Sequence, residues 1–382
     1  MASKSGGYHM LEDLTIAILL KLPVKSLMRF KCACKYWYTL IRSSTFVKKH
    51  LHHQGNNARL LVHHYNYSTE KYSFALFQDE TLACFPLLYY DVDDVQIPKH
   101  PNIFGHCDGM LGVCDCDSIA LWNPATREFS FLPMPDPNIP SRFSVFNNRF
   151  GFGLDPITND YKVVWIRTYY FSEEYENYHS AVIVVFYLST NSWRLFEADL
   201  SRVAYVHESL CSTCLNGVYY WLTSMLDKLG LRTTYYYNAI LTFDLSNEVF
   251  GDIPGPRDIP VVNSGNLIIY NDSISVMCFD PREVEKYVDI WVMKEEGCWS
   301  KQLTIGPLVD VDRALGFWKN GELFLETSTS KLVLYNPNTQ EIKDLQHRGL
   351  YNSLRIFMYK ESLVSIRGGN ECWKGDNVLN TA

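Results

Sequence analysis

The sequence predicts a small all-α module at the N-terminus followed by an all-β domain, closed as a β-propeller of about six blades. Three observations carry this. Apolar residues recur at helical spacing before about residue 52, basic residues concentrate in the same stretch, and beyond it an apolar-aromatic strand, a polar turn and a second strand recur along the chain. A β-sandwich or an incomplete ring is the runner-up for the second part.

The chain has 382 residues, of which 47% are hydrophobic, 14% aromatic and 20% charged, which supplies a core for a small module plus a large domain and excludes a disordered chain. The longest apolar run, Ala181 to Leu188, is far shorter than the ~18 residues of a membrane span, and the polar start Met1 to Gly7 lacks an apolar signal core. Eleven scattered Cys, an odd number, fit free thiols in a reducing compartment better than a disulfide framework. The expectation is an intracellular protein that touches no membrane.

The charge is divided. Residues 1 to 69 hold ten Lys or Arg against Glu12 and Asp13 alone, whereas the rest holds 25 basic and 40 acidic residues. Two modules with different partners are implied, the basic one meeting an acidic partner. Nucleic acid fits poorly, because the basic residues alternate with an apolar helical pattern and the acidic bulk repels phosphate.

Taken in order, Leu11, Leu14, Ile18, Leu19 and Leu22 form one stripe of a helix expected to start at Glu12-Asp13, where carboxylates suit the positive helix end. Pro23 stops it and can open a second helix through Val24, Ser26, Leu27 and Phe30. A third carries Trp37, Leu40 and Ile41, and Ser44 or Thr45 is expected to cap a fourth with Phe46, Val47 and Leu51. So small a module cannot bury all these side chains alone, so they pack either on the rest of the chain or against another protein.

The stretches Met10 to Leu14, Ile18 to Cys32 and Cys34 to Ile41 resemble a plant F-box over about forty positions. Where the family has Leu-Pro this chain has Met10-Leu11, so the first turn lacks its helix-starting Pro. The resemblance implies binding to a Skp-type adaptor. By it, Leu14, Ile18, Leu22, Pro23, Val24, Leu27 and Trp37 would be buried between module and adaptor, with Lys25, Arg29 and Lys31 facing an acidic adaptor surface.

In the remainder, Leu121 to Phe129 and Leu334 to Ile342 are near copies of a strand-turn-strand unit, with weaker copies at Phe186 to Trp193, Leu241 to Phe250 and Ile290 to Trp299. Leu60 to Phe77 is a possible earlier copy. Starts at 121, 186, 241, 290 and 334 give irregular intervals near the ~50 residues of kelch-like blades. Each small sheet has two apolar faces that only neighbouring sheets can cover, and stacking them radially closes a ring.

Gly105 to Leu111, Trp122 to Arg127, Gly151 to Val164 and Leu215 to Trp221 resemble the F-box-associated domain of plant F-box proteins. Within that family, Val24 to Cys32, Asp289 to Met293, Phe317 to Asn320 and Tyr359 to Leu363 are most similar to the S-locus F-box proteins of pollen. The implied organisation is an F-box at 8–52, a substrate-recognition domain at 53–367 and a disordered tail at 368–382.

No pattern for catalysis emerges. Cys211-Ser212-Thr213-Cys214, Cys114-Asp115-Cys116 and Cys32-Ala33-Cys34 lack the second half of a zinc signature, and His52-His53 and His63-His64 could add ligands only by coincidence of folding. There is no nucleophile elbow, phosphate loop or His-Glu-x-x-His helix, and Gly151-Phe152-Gly153 is not followed by a helix start. No metal or cofactor is expected. Some propellers are enzymes, but a docking module beside a recognition domain fits a non-catalytic receptor.

For substrate contacts, the mixture of Tyr with carboxylates at Tyr170, Glu173, Glu174, Tyr175 and Glu176, at Asp93 and Asp94, and the Tyr run around Tyr236 suit a basic partner, although such Tyr also cover blade edges. The resemblance implies a substrate receptor of a cullin-RING ubiquitin ligase, joined through the adaptor to cullin and RING subunits. If of S-locus type, it would act in the pollen tube cytosol on basic S-ribonucleases. The alternatives are a general F-box receptor in defence or hormone signalling, and an F-box scaffold outside a ligase.

Overall fold

The computed structural model describes residues 5–54, 58–66, 70–77, 82, 88–91, 101–115, 118–135, 143–171, 179–208, 213–225, 239–256, 264–280 and 282–367. Four helices come first: α1 (Ser5–Leu20), α2 (Val24–Phe30), α3 (Lys35–Arg42) and α4 (Ser44–His53). Pro23, with φ −60° and ψ 150°, turns the chain out of α1 and stands as the N-cap of α2. Two expectations change here. Helix α1 starts at Ser5, so Glu12 and Asp13 lie inside it rather than at its positive end, and Glu12 instead accepts a 2.8 Å hydrogen bond from the Tyr36 hydroxyl of α3. Helix α4 is capped by Ser43, which keeps an extended backbone while its Oγ accepts from Phe46 N at 3.3 Å; Ser44 and Thr45 are already helical.

The strands then form six antiparallel sheets arranged as a six-bladed β-propeller. Blade I is β1 (Arg59–Asn66), β2 (Lys71–Phe77) and β3 (Leu88–Asp91), completed on its inner side by β25 (Arg355–Tyr359). Blade II is β4 (Asn102–Cys107), β5 (Met110–Cys114), β6 (Ile119–Asn123) and β7 (Glu128–Phe131). Blade III is β8 (Phe143–Leu154), β9 (Tyr161–Phe171), β10 (His179–Tyr187) and β11 (Ser192–Phe196). Blade IV holds β12 (Val203–Val206), the short β13 (Cys214–Leu215), β14 (Val218–Met225), β15 (Ala239–Asp244) and β16 (Val249–Pro254). Blade V is β17 (Ser264–Tyr270), β18 (Ser273–Phe279), β19 (Lys286–Glu295) and β20 (Cys298–Leu308). Blade VI is β21 (Val311–Phe317), β22 (Leu323–Thr327), β23 (Lys331–Asn336) and β24 (Glu341–Arg348).

The five repeats read from sequence are the third and fourth strands of blades II to VI. The sixth, Leu60 to Phe77, is one strand out of step: it is β1 and β2, the second and third strands of blade I, because the innermost strand arrives from the far end of the chain as β25, pairing Arg59 with Tyr359 and His63 with Arg355. This pairing closes the ring.

The recurrent turns share one mechanism. Asn123, Asp244 and Asn336 each end a third strand and accept backbone hydrogen bonds, through the side-chain oxygen, from the residues two and three further on. Arg127, Glu248 and Gln340 follow at positive φ and reverse the chain into the fourth strand.

Successive residues of a strand feed opposite seams. In β1, Leu60 and Val62 pack toward blade VI with Phe324 and Leu334, while Leu61 packs toward blade II with Leu111 and Trp122. Comparable buried clusters fill the other four seams, so the inner and middle strands of the blades are dry on both faces and read as near-continuous apolar runs, as in β5, β6 and β18, whereas outer strands such as β11, β16 and β24 are largely exposed.

Candidate functional site

Two surfaces at opposite ends of the molecule stand out. The first is the outer face of α1. Leu19 is buried and Ile16 and Leu20 partly buried against Val24, Leu27, Ile41 and Phe46, which anchors one side of the helix. Leu14 and Ile18, four residues apart, therefore share the opposite side and are 56% and 62% exposed. Pro23, Lys25 and Arg29 are exposed as well. Of the other residues expected to meet a partner, Val24 and Leu27 are fully buried inside the module, and Leu22 and Trp37 pack partly into the same core, Trp37 against Phe30 with ring centroids 5.2 Å apart. Those four act from within, because a module this small needs them for its own core. Lys31 is half-buried beside Met28, and burial lowers its pKa while Glu128 of blade II opposes that drop, so it belongs to the propeller side.

The module is fastened to the ring. Leu363, from the segment after β25, enters the helical core, and Ala125 packs against it. Asn123 Nδ2 donates to Ser362 O at 3.1 Å and Val364 O at 2.8 Å, and Ile366 N donates to Glu128 at 2.8 Å. Gly109, at φ +77°, lets this segment pass, since a Cβ there would stand 2.5 Å from Lys360 O. Lys48 Nζ reaches Asn159 Oδ1 at 2.6 Å. Helices and ring thus meet at the end that carries the turns between first and second and between third and fourth strands.

Beside this junction lies a buried ion cluster that sequence reading missed. Lys162, 3% exposed, places Nζ 3.0 Å from Asp155 and 2.8 Å from Glu248, joining blades III and IV. Burial opposes ionisation of Asp155, yet hydrogen bonds from Ser246, Thr158 and Lys162 outweigh it and hold the carboxyl below its ordinary range. Glu248 behaves alike through Lys162 and Tyr187. The one available signal was the turn Asp155-Pro156-Ile157-Thr158, whose Asp side chain accepts from Ile157 N and Thr158 N.

The second surface is the other end of the ring, where the turns between second and third strands and the crossovers between blades emerge. The segments from β9 to β10, β3 to β4 and β14 to β15 all start and finish there. Tyr170 is near the end of β9, paired across to Ser144 and His179. Its side chain, and Glu173, Glu174, Tyr175, Glu176, Asp93, Asp94 and Tyr236 altogether, lie outside the described residues. Topology brings their flanking strand ends to one face but settles no contact. Sequence reading also missed a row of exposed apolar residues at this end, Val284, Tyr287, Val309, Leu350 and Tyr351.

Among the described residues no group of three or more His, Cys, Asp or Glu is arranged to hold a metal. Cys32 and Cys34 are exposed, Cys114 is buried, and burial pushes Cys214 up to about 12; Cys116 and Cys211 lie outside the described residues. No described helix is long and apolar enough to cross a membrane.

Comparison with known proteins matches residues 9–49 to the F-box domain and residues 56–366 to the F-box associated beta propeller domain. An F-box/kelch-repeat protein of Arabidopsis thaliana is 30% identical over 295 residues, covering 74% of this chain and 70% of its own length. F-box protein CPR1 of the same plant is 27% identical over 387 residues, covering 92% and 88%. Another Arabidopsis thaliana F-box/kelch-repeat protein is 28% identical over 344 residues, covering 84% and 85%.

Proposed function

The chain belongs to the F-box proteins that carry an F-box associated β-propeller domain, and from that premise we propose that it is the substrate-recognition subunit of an SCF-type cullin-RING ubiquitin ligase. The carrying observation is the exposed Leu14 and Ile18 face on a helix whose other side is locked to the ring through Leu363 and Asn123. Residues 8–52 form the docking module and 53–367 the recognition domain. Leu14, Ile18 and Pro23 bury their apolar surface in a Skp-type adaptor, and Lys25 and Arg29 meet its acidic rim.

The chain itself supplies no chemistry. Its contribution is proximity: a captured substrate is held near the ubiquitin thioester carried by the cullin and RING subunits, which raises the effective concentration of the attacking Lys. The rigid seat of the helices on the ring favours this role, since a fixed geometry aims the substrate.

For the substrate we propose a basic S-ribonuclease met in the pollen tube cytosol, the chain acting as a pollen determinant of self-incompatibility. The support is the excess of 40 carboxylates over 25 basic residues beyond residue 69 and the likeness of Val24 to Cys32 to that group. A general F-box receptor for another protein is the second reading, favoured by the F-box/kelch-repeat relatives.

The test is capture of purified adaptor and cullin by the intact chain and by an Ile18→Asp variant. Because Ile18 is exposed, its folding is expected to survive while both partners are lost; Val24→Asp, in the core, is expected to unfold the module instead. No capture by the intact chain refutes the ligase role. Ubiquitination of S-ribonucleases by the assembled complex then separates the two substrate readings.

A further inference from the structure

If the ring is the recognition half of a receptor, as proposed above, the end opposite the helices is open to a partner, and one sector of it is already shaped. Val284, 80% exposed, lies between β18 and β19; Tyr287 follows at the start of β19; Val309 lies between β20 and β21; Leu350 and the 64% exposed Tyr351 lie between β24 and β25. These connections belong to the same end of blades V, VI and I, three neighbours in the ring.

Backbone hydrogen bonds fasten them to one another. Lys286 pairs with Leu308, so Tyr287 and Val309 flank one register pair, and the Tyr287 ring lies against Gly306. Ser328 N donates to Asp310 O at 2.9 Å, Gly349 N to Ser330 O at 3.0 Å, and Ser353 N to Leu350 O at 2.9 Å. Tyr65 N, at the end of β1, donates to Ser353 Oγ at 3.4 Å. Asn352 N donates at 3.2 Å to the Glu326 carboxylate, itself buried and held by Arg313. A row of exposed apolar side chains on so braced a frame is preorganised for contact.

Charge names the occupant. Glu283, Glu285 and Asp310 are exposed and Asp312 is half-buried, and none of the four has an ion-pair partner among the described residues. Of the cations on these connections, Arg282 is engaged by Asp280, Arg313 by Glu326, Lys331 by Asp344 and Arg355 by Glu208, whereas Lys286 and Arg348 have no ion-pair partner among the described residues. Along the chain the carboxylates alternate with the apolar residues, as in Glu283-Val284-Glu285 and Val309-Asp310.

We propose that this sector of blades V, VI and I is a docking surface for a basic protein segment in which apolar side chains alternate with Lys or Arg. The apolar residues supply contact area, and the carboxylates choose the sign of the partner.

The experiment measures binding of two labelled peptides of equal length to the full chain, one alternating Lys with Leu and one alternating Glu with Leu. The Lys peptide is expected to bind at least about tenfold more tightly. Val284→Ser, Val309→Ser and Tyr351→Ser together are expected to weaken it about tenfold. Glu283→Gln, Glu285→Gln and Asp310→Asn together are expected to weaken it and to flatten its dependence on salt between about 50 and about 300 mM. Val249→Ser with Ile342→Ser, equally exposed but at the opposite ends of their blades, is expected to change nothing. Equal affinity for both peptides, or full affinity in either triple variant, overturns the proposal. Adaptor capture measured on the same preparations separates the two failures: lost capture with rim-dependent peptide binding refutes the receptor reading alone, and retained capture without it refutes this surface alone.

Discussion

Lys162 shows how much one side chain can hold. It bridges Asp155 and Glu248 across the seam between blades III and IV with almost no access to water. Removing one partner of a buried pair leaves charge unsatisfied, so Lys162→Met is expected to lower unfolding free energy by about 3 to 5 kcal/mol, read from denaturant midpoints. Asp155 adds a pH dependence. Its carboxyl is held below the unfolded value of 3.8, so its contribution is complete above that value and fades as pH falls below it. At this scale the sequence is partly legible. Asn123 and Asn336 announce their turns because an Asx side chain can replace a backbone acceptor, whereas Arg127 and Gln340 at positive φ carry no residue-type signal. Glu12 and Asp13 misled because a carboxylate pair inside a helix looks the same as one at its start; only the Tyr36 contact, from another helix, distinguishes them.

Among the elements, the segment from Lys360 to Ile366 couples the two halves. It is not a strand or a helix, yet it enters the helical core with Leu363 and lines the seam between blades II and III with Val364 and Ile366. Asn123→Ala removes two hydrogen bonds to it and leaves the buried Ser362 and Val364 carbonyls unpaired, at a cost of about 2 kcal/mol. Hydrogen exchange is expected to rise in Ser362 to Ile366 and in the Asn123 turn, with adaptor capture kept; unchanged exchange in that segment contradicts the coupling. Helical period placed α2 and α3 well because it reports which residues are apolar. It could not tell Leu14 and Ile18, left outward, from Val24 and Leu27, used internally, since that depends on which neighbours cover each face. The repeat starting at Leu60 slipped by one strand for a related reason: its inner partner β25 is nearly three hundred residues away, and a local pattern holds no record of that pairing.

For the whole molecule the ring closure is the point to test, where β1 and β25 are joined by backbone pairing, by packing in two seams and by the Arg59–Glu361 ion pair at 2.7 Å. Strand β1 buries a His on each face. His63 stacks on Tyr72 and Phe74 with neither ring nitrogen hydrogen-bonded, and His64 Nδ1 lies 2.9 Å from His347 Nε2 of blade VI. Burial, with Arg355 adding to it, lowers His63 to about 3; burial, with His347 and His63, lowers His64 to about 2; burial lowers His347 to about 4. Each is therefore neutral in the folded ring and takes up a proton near 6.5 once unfolded. Their contribution is complete above about pH 6.5 and declines as pH falls below it, down to about 4 for His347 and on to about 3 and about 2 for His63 and His64, so the decline starts well above the Asp155 window and runs into it. Denaturant midpoints are thus expected to fall between pH 6.5 and 4.5, with hydrogen exchange rising first in β1, β24 and β25. Replacing His64 and His347 with a Gln pair is expected to flatten much of that slope. A chain ended at Leu354, lacking β25, is expected to lose the cooperative transition at every pH, because β1 loses its inner partner and the seams toward blades II and VI lose Phe357, Tyr359 and Ile356. Retention of a cooperative transition by that shortened chain shows that the remaining seams hold the ring without its closure.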